Sequence, residues 1–245
     1  MKHLSLWLVV CLAGLAAPVV ADGLFVTDVI TTSAGELGIT FIGHGSLMLT
    51  WKGKTIQVDP YGKLADYAGF PKADLVLITH DHQDHLDIEA LEKVRTENTR
   101  VILSEAAAAK LPGLTIMKNG DRLEVLDLGI EAVPAYNLIH KRDNGQVFHP
   151  QGQGNGYVLT CGDKKVYIAG DTENTPEMKA LKGIDVAFLP MNLPYTMTPE
   201  MVTDAVKAFR PGILYPYHFG QTDLTKLQEL LKDEKDIEVR LRKME

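Results

Sequence analysis

His80-Asp81-His82-Gln83-Asp84-His85 holds three imidazoles and two carboxylates in six residues. It follows the apolar run Leu75-Val76-Leu77-Ile78, which is short, rich in branched residues and flanked by Asp74 and Thr79, the pattern of a buried strand. The cluster therefore sits in the loop leaving a strand, ahead of an amphipathic helix predicted from Leu86 to Asn98. Imidazole and carboxylate are the donors that a divalent ion of the zinc class prefers. His80 and His82, two apart on extended backbone, point to one side. Asp84 and His85 come from the turn into the helix and reach a second position.

Three further residues share this context. Asp59 ends the strand-like Lys54–Val58, Asp171 follows Ala169-Gly170, and His218 follows Tyr215-Pro216-Tyr217. Polar side chains just beyond apolar strands are where rigid sheets carry their sites. Each alone reads equally well as a turn or a strand-end hydrogen bond; together with residues 80–85 they form one constellation.

The chain has 245 residues, 45% hydrophobic and 23% charged, values of an ordinary globular protein with a full core. Its net charge of −7, with no basic stripe, argues against a nucleic-acid partner. Residues 1–21 differ: Lys2 precedes an apolar run from Leu4 to Leu15, and Val19-Val20-Ala21 ends in a small residue. This is the pattern of a cleaved signal peptide, too short for a comfortable membrane span, with an uncleaved N-terminal anchor as the alternative. The expected mature chain, residues 22–245, forms one domain, is periplasmic or secreted, and keeps no stable membrane anchor. Cys161 is then its only cysteine, so stability must come from the core or from metal rather than from a disulfide. The sequence carries no signal for oligomeric state.

Strands are expected at 39–42, 46–51 and 54–58, with Lys52-Gly53 as a tight hairpin, and then at 101–103, 114–117, 122–125 and 130–133. Residues 105–111 read as a short Ala-rich helix. Tyr136 to Gly156 follows neither period and is rich in Asn, Gln, Gly and His; a loop of this length in a compact domain is more often functional than idle. Strands at 157–160, 165–169, 186–189, 213–217 and 237–241 and helices at 199–210 and 224–231 complete the chain. No internal repeat is visible at the residue level. The alternation predicts a layered α/β domain with two sheets inside and helices outside.

The spacing His80-x-His82-x-Asp84-His85, with Asp59 upstream and Gly170-Asp171-Thr172 and His218 downstream, resembles the metallo-β-lactamase superfamily from Gly38 to about Gly220. Ile42-Gly43-His44-Gly45-Ser46, Pro134-Ala135-Tyr136-Asn137, Phe148-His149-Pro150 and Tyr195-Thr196-Met197 are similar to the branch containing L-ascorbate-6-phosphate lactonase and the phospholipase D that acts on N-acyl phosphatidylethanolamines. The resemblance implies a four-layer αβ/βα sandwich of two mixed β-sheets and outer helices. It implies His80 and His82 on a first metal, Asp84, His85 and His218 on a second, Asp171 between them, and Asp59 orienting a ligating histidine.

The superfamily usually supplies a third histidine to the first metal where this chain has Asn137. His140 and His149 are the alternatives. His149 is favoured, because the glycines after Phe148-His149-Pro150 let the loop turn back over the site. His140, flanked by Lys141 and Arg142, reads as a solvated or substrate-facing residue. If neither serves, the first site is incomplete and the protein carries a single metal.

The ligand set predicts a hydrolase. Imidazoles and carboxylates on a divalent ion lower the pKa of bound water to about 7, giving a metal-bound hydroxide. Two ions are expected, zinc first, with manganese or iron as alternatives. Asp84 and Asp171 are the catalytic carboxylates, and Asp84 is placed to move a proton. The substrate is a small lactone, ester or phosphodiester, with Lys141, Arg142, Tyr195 and His44 as candidates to bind it. The competing readings are a non-catalytic metal or ligand-binding module and a true β-lactamase. Iron-based redox chemistry is disfavoured by the lack of a flavin domain.

Overall fold

The computed structural model describes residues 25–244. The expected signal peptide, residues 1–21, and its cleavage point lie outside the described residues. In the first half, β1 (Val26–Thr32), β2 (Gly35–Gly43), β3 (Ser46–Trp51) and β4 (Lys54–Val58) form an antiparallel meander. β5 (Leu75–Ile78), β6 (Arg100–Leu103) and β7 (Thr115–Ile116) then add in parallel, joined by α1 (Ile88–Val94) and α2 (Glu105–Lys110). The second half repeats the plan. β8 (Arg122–Val125), β9 (Leu128–Ala135), β10 (Gly154–Cys161) and β11 (Lys164–Ile168) are antiparallel; β12 (Val186–Pro190), β13 (Ile213–Tyr217) and β14 (Glu238–Val239) follow in parallel. α3 (Pro176–Lys179), α4 (Pro199–Phe209) and α5 (Leu224–Leu231) belong to this half. The result is the expected four-layer αβ/βα sandwich, two seven-stranded mixed sheets with helices outside. The architectural repeat leaves no residue-level trace because only the strand pattern, not the side chains, is repeated.

The period of two explains the layers. Along β5, Leu75 and Leu77 pack into the core shared with Tyr157, Ile168 and Phe188 of the second sheet. Val76 and Ile78 face the other way, into a cluster with Leu91 and Val94 of α1. Both faces are covered, so β5 reads as an unbroken apolar run. α1 is shorter than its sequence suggested. Asp87 caps its start by accepting from Ala90 N–H, and the helix ends at Val94, because Arg95 is already extended. On the far side α4 and α5 bury Val202, Val206, Phe209, Leu227 and Leu231. Among the described residues no helix is long and apolar enough to cross a membrane.

The carboxyl ends of β4, β5, β11 and β13 point to one edge of the sandwich, where the two sheets meet. Asn155 N–H donates to Thr79 C=O at 2.9 Å, and the Tyr157 hydroxyl donates to Ile78 C=O at 2.8 Å, tying the end of β5 to β10. This edge is built from short connections on strands buried on both faces, which gives its side chains little room to move.

Candidate metal centre

Asp59 follows β4 in the left-handed conformation (φ 44°) with its side chain buried under β5. It accepts Thr79 N–H at 2.8 Å, the Thr79 hydroxyl at 2.6 Å and His85 Nδ1–H at 2.8 Å. Since the Thr79 proton goes to Asp59, the 3.0 Å contact between Thr79 Oγ1 and His80 Nδ1 requires His80 Nδ1 to be the donor. One carboxylate thus fixes two histidines, His85 directly and His80 through Thr79, with each Nε2 turned inward. The sequence named Asp59; Thr79, hidden at the end of an apolar run, it did not.

Asp171 enters from the end of β11 and lies between two groups of imidazoles. Its Oδ1 is 3.5 Å from His85 Nε2 and 3.4 Å from His218 Nε2; its Oδ2 is 3.3 Å from His149 Nε2 and 4.0 Å from His80 Nε2. Asp84 Oδ2 joins the first group, 3.7 Å from His218 and 3.9 Å from His85, and makes a 3.0 Å hydrogen bond with His44 Nε2. His80, His82 and His149 bring one nitrogen each within 4.8 Å of the others, and a carboxylate oxygen of Asp84 lies as close to one nitrogen each of His44, His85 and His218. His149, favoured from sequence, is therefore beside His80 and His82. His140 is not: its Nδ1 lies 2.8 Å from Thr196 C=O and 2.9 Å from buried Glu173.

Burial and charge pull against each other here. Burial pushes the Asp171 carboxyl up, but His218, His85 and His149 outweigh it and hold it well below the usual carboxylate range. For His85 burial lowers the imidazole, while Asp171, Asp59 and Asp84 together raise it to about 9. Burial, reinforced by His85, holds His80 well below the usual histidine range. His80 Nε2 and Asp171 Oδ1 are fully enclosed yet have no hydrogen-bond partner. A native fold rarely leaves such atoms unsatisfied unless something else binds them. Inward-facing imidazole nitrogens around a shared carboxylate fit divalent ions of the zinc class.

Gly45, in the turn between β2 and β3, lies against these rings. A Cβ there would be 2.8 Å from His85 Cε1 and 3.6 Å from His218 Cδ2, so only glycine fits. Outside the imidazoles a cavity of about 420 Å³ opens, lined by Gln83, Arg142, Phe148, Asn192 and Tyr195 together with His82, Asp84, His149, Asp171 and His218. Phe148 packs edge-to-face on Tyr195 with ring centres 5.0 Å apart, and the Arg142 guanidinium lies 5.1 Å from the Phe148 ring. Of the substrate candidates, Arg142 and Tyr195 line this cavity; Lys141 is exposed beside it, and His44 lies behind Asp84.

Two residues that the sequence reading did not single out for a role complete the surroundings. Asn137 Oδ1 is 2.6 Å from His149 Nδ1, and Glu173, two residues beyond Asp171, is buried beneath the loop that carries Asn137 and His140. The only sequence signal for Glu173 is a carboxylate in a turn that otherwise reads as complete at Gly-Asp-Thr.

Known proteins agree with this architecture. Residues 38–218 match the family model for a beta-lactamase superfamily domain. A UPF0173 metal-dependent hydrolase of Methanopyrus kandleri is 31% identical over 198 residues, covering 74% of this chain and 84% of that protein. A crystal structure of a protein from Parabacteroides distasonis, described as a candidate metal-dependent hydrolase, is 50% identical with a TM-score of 0.86, covering 90% of this chain and all of that one. Igni18, a metallo hydrolase of Ignicoccus hospitalis, is 26% identical with a TM-score of 0.70, over 85% of this chain and 95% of its own. The sandwich, the clustered imidazoles and carboxylates at its edge and these relatives together place the chain in the beta-lactamase superfamily, as a metal-dependent hydrolase of the metallo-β-lactamase fold.

Proposed function

We propose that the protein holds two zinc-class ions and hydrolyses a small anionic lactone, carboxylic ester or phosphodiester. The observation that carries this reading is Asp171, whose two oxygens face two different sets of imidazoles. His80, His82 and His149 would hold one ion, Asp84, His85 and His218 the other, with Asp171 shared. When bound, such a pair lowers the pKa of a water and polarises the oxygen of the substrate.

The remaining chemistry belongs to the chain. Asp84 Oδ2 is the acceptor on which a proton of the attacking water can rest, and His44 Nε2–H shares that oxygen at 3.0 Å. Arg142 supplies the cation of the cavity wall and suits a carboxylate or phosphate of the substrate. Phe148 and Tyr195 give an apolar surface for its carbon skeleton, and Asn192 a hydrogen-bonding group beside them. Elemental analysis after metal-supplemented expression should find about two transition-metal ions per chain. A panel of lactones, carboxylic esters, phosphodiesters and β-lactams should show turnover of one of the first three classes. Absence of any bound transition metal would sink the proposal, and β-lactam turnover alone would redirect it.

We also propose export, from Lys2, the apolar run and Ala21. The mature protein then begins at Asp22, which mass spectrometry of periplasmic or secreted material tests; intact Met1 on a soluble cytoplasmic species would refute it.

A further inference from the structure

We propose that Glu173, acting through Asn137, sets the tautomer and the aim of His149; this rests on the reading above that His149 holds a metal. The three residues form a buried line, at 0%, 4% and 6% exposure respectively. Asn137 Nδ2 donates to Glu173 Oε1 at 3.1 Å and to Tyr195 C=O at 2.8 Å. Both of these oxygens are acceptors only, so the amide cannot be turned round without facing oxygen to oxygen twice. Asn137 Oδ1 must therefore face His149, 2.6 Å from its Nδ1. A carbonyl oxygen can only accept, so Nδ1 carries the proton and Nε2 presents its lone pair toward Asp171 and the other imidazoles.

Glu173 is held in turn by the loop it anchors. Its Oε2 accepts the backbone N–H of Leu138 at 2.7 Å and of Ile139 at 2.8 Å; its Oε1 accepts His140 N–H at 2.7 Å. Three successive N–H groups cradle the buried charge in the manner of an anion-binding nest. His140 Nδ1, between Glu173 and Thr196 C=O, must also be a donor. No cation is needed, and the negative charge stays one residue away from the imidazole it controls. A carboxylate at position 137 would instead place that charge directly on His149, beside Asp171.

The arrangement mirrors the first sheet. There Asp59, following the fourth strand, orients His85 directly and His80 through Thr79. Glu173 follows the fourth strand of the second sheet and reaches His149 through an amide. Glu173 and Asn137 are positioning residues; neither touches the substrate cavity.

The test uses metal-free and metal-loaded mature protein, with Asn137→Leu, Glu173→Gln and His149→Ala. Long-range 1H–15N NMR of the metal-free protein at a pH where His149 is neutral should show it as the Nδ1–H tautomer. Asn137→Leu should release it to a mixture containing Nε2–H. Zinc affinity, measured by competition with a chromophoric chelator, should fall about 10–100-fold for one of the two ions in Asn137→Leu and Glu173→Gln. His149→Ala should lose that ion outright. If His149→Ala binds zinc like the parent, the ligand reading is wrong. If it loses zinc while both Asn137→Leu and Glu173→Gln keep the parental tautomer and affinity, the positioning role alone is overturned. Should Glu173→Gln fail to fold, Asn137→Leu decides the matter by the same two readouts.

Discussion

His218 donates its backbone N–H to the carbonyl of His44 at 2.9 Å, and their rings lie 3.6 Å apart. Both residues are in the left-handed region, at φ 43° and 51°. The end of β13 in one sheet is thereby fastened to the turn after β2 in the other. Strained backbone of this kind persists where the surroundings over-determine it, most often at sites.

Replacing His44 separates its two jobs. Asparagine tolerates the left-handed conformation and keeps the carbonyl that receives His218 N–H, but it is too short to keep the 3.0 Å bond to Asp84. His44→Asn should therefore lose less than about 1 kcal/mol of stability while hydrolysis falls roughly 10–100-fold, the usual cost of removing the partner of a metal ligand, the role proposed for Asp84. Urea unfolding and kcat/KM on the same preparations check both halves.

Gly45→Ala probes crowding at the same place. The added Cβ meets His85 at 2.8 Å, and His85 is pinned by Asp59, so the ring cannot swing aside freely. The expected outcome is an intact fold by circular dichroism, loss of about 1–3 kcal/mol of stability in line with other overpacked cores, and one metal equivalent fewer. Retention of parental metal content would show that the turn has room the geometry denies.

The sequence disclosed this centre unevenly, for physical reasons. Residues 80–85 were legible because metal chemistry needs several donors and most of the candidate donors here are local. Asp59, Asp171 and His218 were legible because each breaks an apolar strand with a polar residue. β3, β5 and β13 had readable bounds, since strands buried on both faces show as clean apolar runs. β1 was missed: as an edge strand, with Val26 and Val29 exposed and Asp28 turned to partners at the C-terminus, it shows no alternation. The path of residues 136–153 was not readable, because it is set by bonds to Glu173, Tyr195 and Thr196, residues 33 to 58 positions away. That path is what separates His149 from His140.

His140→Ala follows from that separation. The sequence suggested a solvated or substrate-facing ring, whereas the structure seats it on Glu173 and Thr196. Removing it leaves Thr196 C=O short of a donor and weakens the cradle of a buried carboxylate, a cost of about 1–3 kcal/mol. The metal should remain, because three backbone N–H groups and Asn137 still hold Glu173. Calorimetric unfolding together with elemental analysis checks the pair of outcomes; loss of metal without loss of stability would contradict it.

The other end of the contact between the sheets is tied through Asp28. Asp28 on β1 receives Arg242 in two hydrogen bonds, at 3.1 Å and 2.6 Å, and also the hydroxyl of Tyr215 on β13; Arg240 lies 3.7 Å away. Burial raises the Asp28 carboxyl, but the bonds from Arg242 and Tyr215 outweigh it and leave it below the ordinary aspartate range. A carboxyl lowered on folding stabilises the native state above its unfolded value, about 3.9, and the gain is lost as pH falls through the folded value. Asp28→Asn should therefore cost about 1–2 kcal/mol at pH 7, discounted for the partly exposed arginines. The gap between parent and variant should stay constant from about pH 8 to pH 5 and narrow below about pH 4, as the parent's own carboxyl protonates. Urea midpoints across that range measure it. A gap that widens on acidification would mean that Asp28 is bound in its neutral form, with Tyr215 as the acceptor, and that the two arginines contribute nothing to the junction.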